Sequence, residues 1–224
     1  MTLTLYFHPL ASFCHKVLIA LYEKDIPFKG HIVDLMDAGA SARFMEIWPV
    51  GKIPVLRDES RDQTVPESTI IIEYLDRHYP GSYPLLPEND DARLEARLWD
   101  RFYDLYISAP MQKIVVDRIR PEGAHDPHGV ADAATSLRTA YGMIEQRMAS
   151  RTWAIGDSFG IADCAAAPAL FFADIVVPFS DTHPHLVAYF ERLENRPSFK
   201  RTVAGAKPYL HLFPFQDRMP ARFR

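Results

Sequence analysis

Three short stretches of this chain hold side chains whose types and spacing could do chemistry, and each lies where a helix or strand is expected to begin. The first is residues 9–17, PLASFCHKV, which leads from an alternating apolar run into a helical pattern. A helix N-terminus presents unpaired backbone N–H groups and the positive end of the helix dipole, so an anion or a thiolate is stabilised there. Three groups could supply a hydrogen bond to such a thiolate. Ser12 has a hydroxyl at the right end of the helix, although a serine there can equally cap the helix. Tyr6, at the end of the preceding strand, can bring its phenol to the same pocket or pack in the core. A backbone N–H near Ala11 and Ser12 is the third. Cys14 falls on the apolar stripe of its helix and reads as a buried, unreactive thiol, and His15 as a solvated face residue.

The second stretch is residues 48–56, WPVGKIPVL. A proline that directly opens a strand cannot donate to the ladder and must take the first position. In a thioredoxin-like fold the Ile53–Pro54 bond is expected to be cis, which turns the N–H and C=O of Ile53 outward as a main-chain clamp for an extended peptide. The third is residues 66–69, PEST, before a helix: Ser68 can cap it, its N-terminus favours a carboxylate, and Glu67 can accept from an ammonium group. A carboxylate and an ammonium on one carbon describe the γ-glutamyl end of glutathione, and Ile53 would take its cysteinyl backbone. A fourth stretch, residues 156–163, reads as structural: Asp163 reaches back to the first amides of an apolar helix.

Positioning these groups takes two kinds of architecture. Residues 2–7, 28–35 and 54–57 read as strands, with a fourth short one around residues 63–65. Helical spacing runs over residues 12–24 and 68–79, so the first half alternates as β-α-β-α-β-β-α. A Pro-rich linker follows, and beyond it only helices are expected. Residues 93–118 form a long one with Leu94, Leu98, Phe102 and Leu105 on its apolar stripe. Residues 129–148, 161–177, 186–194 and 198–203 form the others. The expected units are residues 1–83, an α/β domain, and 90–224, an all-helical domain.

Bulk properties narrow the function. The chain has 224 residues, 48% hydrophobic and 24% charged, with a net charge of −4, which suits a packed core and offers no basic tract for nucleic acid. Two cysteines, Cys14 and Cys164, make no disulfide framework and no zinc or redox pair, which points to a reducing, cytoplasmic setting. No membrane span is expected, because the most apolar stretch contains Asp163, Pro168 and Asp174. The paired histidines 125/128 and 183/185 lie in Pro-rich loops, so no metal site is expected.

Together these motifs resemble the glutathione transferase superfamily, and the pattern is similar to its bacterial serine-type branch. The resemblance rests on the Ser-containing turn into Lys16-Val17, on residues 51–56 (GKIPVL), on Glu67-Ser68 with residues 72–76 (IEYLD), on Ala162-Asp163, and on residues 196–199 (RPSF). It implies a thioredoxin-like N-terminal domain, a homodimer, and a glutathione site made by Lys52, Ile53, Pro54, Glu67 and Ser68. The electrophile pocket would lie between the domains, with Trp99, Tyr103 and Tyr106 as its second wall. Where thioredoxin-like oxidoreductases have their attacking cysteine, six residues before Val17, this chain has Ala11, so a reacting thiol must come from outside. The branch commonly has its catalytic serine there too. The expected activity is attack of glutathione thiolate on a hydrophobic electrophile. A peroxidase or disulfide reductase would use the same thiolate, and a binding module on the same fold is the alternative that Ala11 motivates.

Overall fold

The computed structural model describes residues 2–81 and 83–223. The N-terminal half is built on β1 (Leu3–Phe7), whose alternation sends Leu3 and Leu5 into the core. Around it the sheet runs β2-β1-β3-β4, with β2 (Lys29–Ile32) parallel to β1. Strands β3 (Val55–Asp58) and β4 (Gln63–Pro66) add antiparallel, so the fourth strand expected near residues 63–65 is present. On one face α1 (Ser12–Glu23) and α3 (Ser68–His78) pack Val17, Leu21, Ile71 and Leu75 against Leu3 and Leu5. On the other, α2 (Ala38–Met45) lays Phe44 on Val33 and Val55. This is the expected thioredoxin-like arrangement.

The second half is all-helical. The long helix expected over residues 93–118 is a rod in three parts: α4 (Asp90–Phe102), a wide π turn at Tyr103–Ser108, and α5 (Ala109–Arg118). Pro110 has no N–H to give the carbonyl four residues back, and the chain widens immediately before it. Helices α6 (Pro127–Met148), α7 (Ile161–Val176), α8 (Pro184–Glu194) and α9 (Pro197–Ala206) follow, then short 3-10 turns. At the centre stands α7, buried at every position but Asp174. Asp163 caps it as expected: its two carboxylate oxygens accept from Gly160 N–H and Ala154 N–H, both at 2.9 Å, and from Tyr189 Oη at 2.6 Å. Burial pushes the Asp163 carboxyl up to about 6 even against these three donors. No described helix is long and apolar enough to cross a membrane.

The halves are joined along α1. Arg196, at the start of α9, gives Glu23 a two-pronged pair, one bond of which is 2.7 Å, and Ser198 donates to the same carboxylate. Burial works against that charge, but hydrogen bonds from Arg196, Ser198 and Tyr83 hold Glu23 below its ordinary range. Asp76 fastens the linker, accepting from Lys24 at 2.6 Å and from the amides of Leu85 and Leu86 at 2.9 Å.

Two expectations fail here. The stripe Leu94, Leu98, Phe102, Leu105 does not face the core: Leu94 is 68%, Leu98 63% and Leu105 49% exposed, and only Phe102 is buried. The inward face of the rod instead carries Ala96, Trp99, Asp100, Tyr103 and Asp104. Two acidic residues are tolerated there because Lys16, itself 1% exposed, comes from α1 to meet them. His15, expected in solvent, is buried, with Nε2 2.5 Å from the carbonyl of Pro9; burial lowers its pKa to about 4.

Candidate functional site

The predicted glutathione residues converge. Lys52, Ile53, Pro54, Glu67 and Ser68 line one cleft of about 290 Å³ at the junction of the two halves. The Ile53–Pro54 bond is cis, and because β3 starts at Val55, Ile53 stays outside the sheet ladder. Glu67 holds a positive φ of 68°, a conformation that disfavours any non-glycine residue and that clusters at ligand-binding positions. Ser68 does not cap α3 as expected. Glu67 is the residue before the helix and makes no side-chain cap bond, and Ser68 is its first residue. Among the described residues no side chain caps the start of α3, and Glu67 and Ser68 at that start line the cleft, an arrangement suited to an external anion.

Further residues of this cleft escaped the sequence reading. Phe13 and Trp48 form part of its walls, and Arg101, Asp104 and Gln112 reach it from the helical rod. Trp48 opens residues 48–56 but its type and place there signal no role. Arg101, Asp104 and Gln112 carried no local signal beyond being polar on a long helix, since the π turn between them alters their phase. Beneath the cleft lies a buried polar cluster. Lys16 Nζ contacts Asp100 Oδ1 at 2.6 Å, Asp104 Oδ2 at 2.9 Å and Thr69 Oγ1 at 2.9 Å, and Thr69 donates to Asp100 Oδ2 at 2.6 Å. Arg101 adds an outer contact to Asp104 at 3.3 Å. Burial holds the Asp104 carboxyl above its ordinary pKa even beside Lys16. This cluster pins α1, α3 and the rod together under the floor of the cleft.

A second cavity of about 630 Å³ opens on the other side of the α1 N-terminus, with Ala11 and Ser12 in its wall and Gln112 shared with the first. Its surface is mostly apolar, with Leu10, Met111, Val115, Phe172 and Phe213 among the contributors. Ala11 occupies the position before α1, so Ser12 is the first helical residue rather than the cap. The Ser12 side chain is nearly buried, and the Gln112 amide donates to its Oγ at 3.4 Å. Tyr6 lies elsewhere: its ring packs on His31 and Phe44 beneath α2, and it lines neither cavity. Cys14 is fully buried, and burial pushes its thiol up to about 12, the inert state expected.

The expected aromatic wall is a correction. Trp99 is buried under the guanidinium of Arg147, 4.1 Å from its ring centre, and Tyr103 is fully buried in the core. Tyr106 is exposed against Phe102, and none of the three lines either cavity. The rod turns its 99/103 face toward α7, and α5 supplies the wall through Met111, Val115, Val116 and Ile119. Met111, Val115 and Ile119 recur every four residues with Val116 beside them, which is legible as a helical stripe but not as a cavity wall.

Comparison with known proteins agrees with this arrangement. Residues 5–83 match the glutathione S-transferase N-terminal domain, and residues 108–197 match the glutathione S-transferase C-terminal domain. The chain belongs to the glutathione transferase superfamily. It is 27% identical over 191 residues to the glutathione S-transferase GstB of Escherichia coli strain K12, covering 84% of this chain and 91% of that protein. It is 30% identical over 212 residues to a stringent starvation protein A homolog of Haemophilus influenzae, covering 92% of each. Among solved structures, a glutathione S-transferase from Methylobacillus flagellatus with glutathione bound superposes with a TM-score of 0.82 at 25% identity, over 89% of this chain and 98% of that one.

Proposed function

We propose that this protein is a glutathione transferase that binds glutathione in the cleft of Lys52, Ile53, Glu67 and Ser68 and delivers its thiolate to an apolar electrophile in the adjoining cavity. The observation that carries this reading is the adjacency itself: an anion-ready cleft and an apolar cavity meet at one helix N-terminus and share Gln112. The γ-glutamyl carboxylate would take the first amides and hydroxyl of α3, and Glu67 the ammonium. The Ile53 main chain would pair with the cysteinyl unit, and Lys52 would approach the glycyl carboxylate. The sulfur would then lie at the start of α1, where the helix dipole and the Ser12 hydroxyl favour the thiolate. Gln112 gives a hydrogen bond to Ser12 Oγ, which leaves the serine's own proton free for the sulfur. No protein group forms a covalent bond in this scheme.

The protein works as a homodimer in this proposal. Leu94 and Leu98 form an exposed apolar line on α4, and Ile70 of α3 is exposed too. Such a line on a rod otherwise rich in charge suits a second copy.

A second reading, a binding module on the same fold, draws on Ala11, which has no hydroxyl, and on the similarity to a protein named for stringent starvation rather than for transfer. Calorimetric titration with reduced glutathione, with the bound thiol followed by ultraviolet absorbance across pH, separates the two. The transferase reading expects saturable binding with the thiol pKa lowered by a unit or more. Ser12→Ala should raise that pKa by about one unit, roughly 1.4 kcal/mol of lost thiolate stabilisation. Tyr6→Phe should leave it unchanged. Binding with an unshifted thiol would favour the module.

A further inference from the structure

The apolar cavity contains a hydrogen-bond donor that the thiol chemistry does not use. His8, in the loop after β1, lines it opposite a wall of Met111, Val115 and Phe213. The amide of Leu10 donates to His8 Nδ1 at 3.2 Å. A ring nitrogen that accepts cannot hold the proton, so the proton of the neutral ring is on Nε2. Among the described residues no group accepts from that N–H; the ring's other close contact is the edge of Tyr209, 5.6 Å between centres. Of the remaining polar side chains lining the cavity, Ser12 and Gln112 are bonded to each other, and Asp34 is an acceptor already held by the amide of Met36.

We infer that His8 is a catalytic hydrogen-bond donor for electrophiles that develop negative charge on oxygen, so that the preferred substrates are apolar α,β-unsaturated carbonyl compounds or quinones rather than alkyl halides. The inference rests on the transferase reading. The thiolate sulfur forms a bond to the β-carbon, and the C=C π pair shifts onto the carbonyl oxygen as an enolate. His8 Nε2–H stabilises that oxygen without giving up its proton. Solvent then protonates the α-carbon, balancing the proton lost when the thiol ionised. Burial lowers the His8 pKa more than the Asp34 carboxylate raises it, which keeps the ring neutral and its tautomer fixed at neutral pH. An aligned donor to a developing oxyanion is worth about 10²- to 10³-fold in rate.

The test compares an aryl-substituted enone with a benzyl halide of similar size, using the full-length wild type, His8→Phe and His8→Gln. Halide displacement puts no charge on a carbonyl oxygen, so it serves as the control for folding and for thiolate formation. His8→Phe should lose about 10²-fold in kcat/KM on the enone and stay within about threefold on the halide. His8→Gln, which keeps an N–H donor, should recover at least half of that loss on a logarithmic scale. Equal loss on both substrates, or no loss on the enone, overturns the role of His8 alone. A wild type that turns over neither substrate with glutathione overturns the transferase reading and this inference with it.

Discussion

Replacing Lys16 by Met tests the polar cluster under the cleft, because it removes one charge at nearly constant volume. Lys16 Nζ has three oxygen partners within 2.9 Å, on Asp100, Asp104 and Thr69, and all three of the charged side chains are almost wholly buried. Taking away one partner of a buried pair leaves an uncompensated carboxylate and costs about 3–5 kcal/mol. With a urea slope of about 2–3 kcal/mol/M for a chain of this size, the unfolding midpoint should fall by roughly 1–2 M. The pH dependence gives a second, independent reading. The Asp104 carboxyl is held above its ordinary pKa by burial, with Lys16 opposing. A carboxyl raised in the folded state contributes stability that is present below the ordinary carboxylate range and lost as pH rises through the raised value. Without Lys16 that rise becomes larger, so the deficit of the variant should be greatest near pH 8 and shrink toward pH 5. Adding Asp104→Asn to Lys16→Met should recover about 1–2 kcal/mol, since one of the two buried carboxylates no longer needs a cation and only Asp100, still held by Thr69, does. Urea unfolding followed by circular dichroism at several pH values measures all three effects. A Lys16→Met variant within 1 kcal/mol of wild type at pH 8, or one whose deficit does not change with pH, would refute the account of the cluster as a buried, mutually dependent charge set.

Two further outcomes are expected. Leu94→Glu combined with Leu98→Glu changes two exposed side chains and should convert the proposed dimer to monomer in size-exclusion chromatography with light scattering, leaving the thermal midpoint of the monomer fold nearly unchanged; a monomeric wild type would refute the assignment of that stripe. Cys14 and Cys164 are both fully buried, and burial raises both thiols, so Ellman's reagent should label neither until the protein unfolds. Rapid labelling of the native protein would overturn the placement of α1.

How much of this was legible beforehand differs from residue to residue. Residues 52–54 and 67–68, expected together from a proline opening a strand, an acidic-serine pair opening a helix and the resemblance to a known family, do share one cleft. The catalytic side chain was not separable, since Ser12 and Tyr6 lie within six residues of each other and both can reach the turn on paper. The fold separates the two candidates in space: strand alternation sends Tyr6 to the α2 face, while Ser12 stays at the helix start. The electrophile wall failed for a related reason. Helical periodicity finds an apolar stripe but does not say what covers it, and here the aromatic face at 99 and 103 turned inward while Leu94 and Leu98 turned out.

The sequence by itself therefore determined the things that local chemistry dictates. It specified a mixed strand-and-helix first half, a helical second half, a proline opening the third strand, an unreactive Cys14 and the capping aspartate of α7. Each depends on interactions within a few residues of chain. Only the tertiary structure decided which groups share a cavity. Lys16 meets Asp104 across 88 positions of sequence, and Gln112 meets Ser12 across 100. Such pairings depend on how two packed layers are rotated against each other, and the π turn before Pro110 resets that rotation for everything beyond it. A linear pattern does not carry the angle between two helices, and that angle made one cleft and one apolar cavity meet at the start of α1.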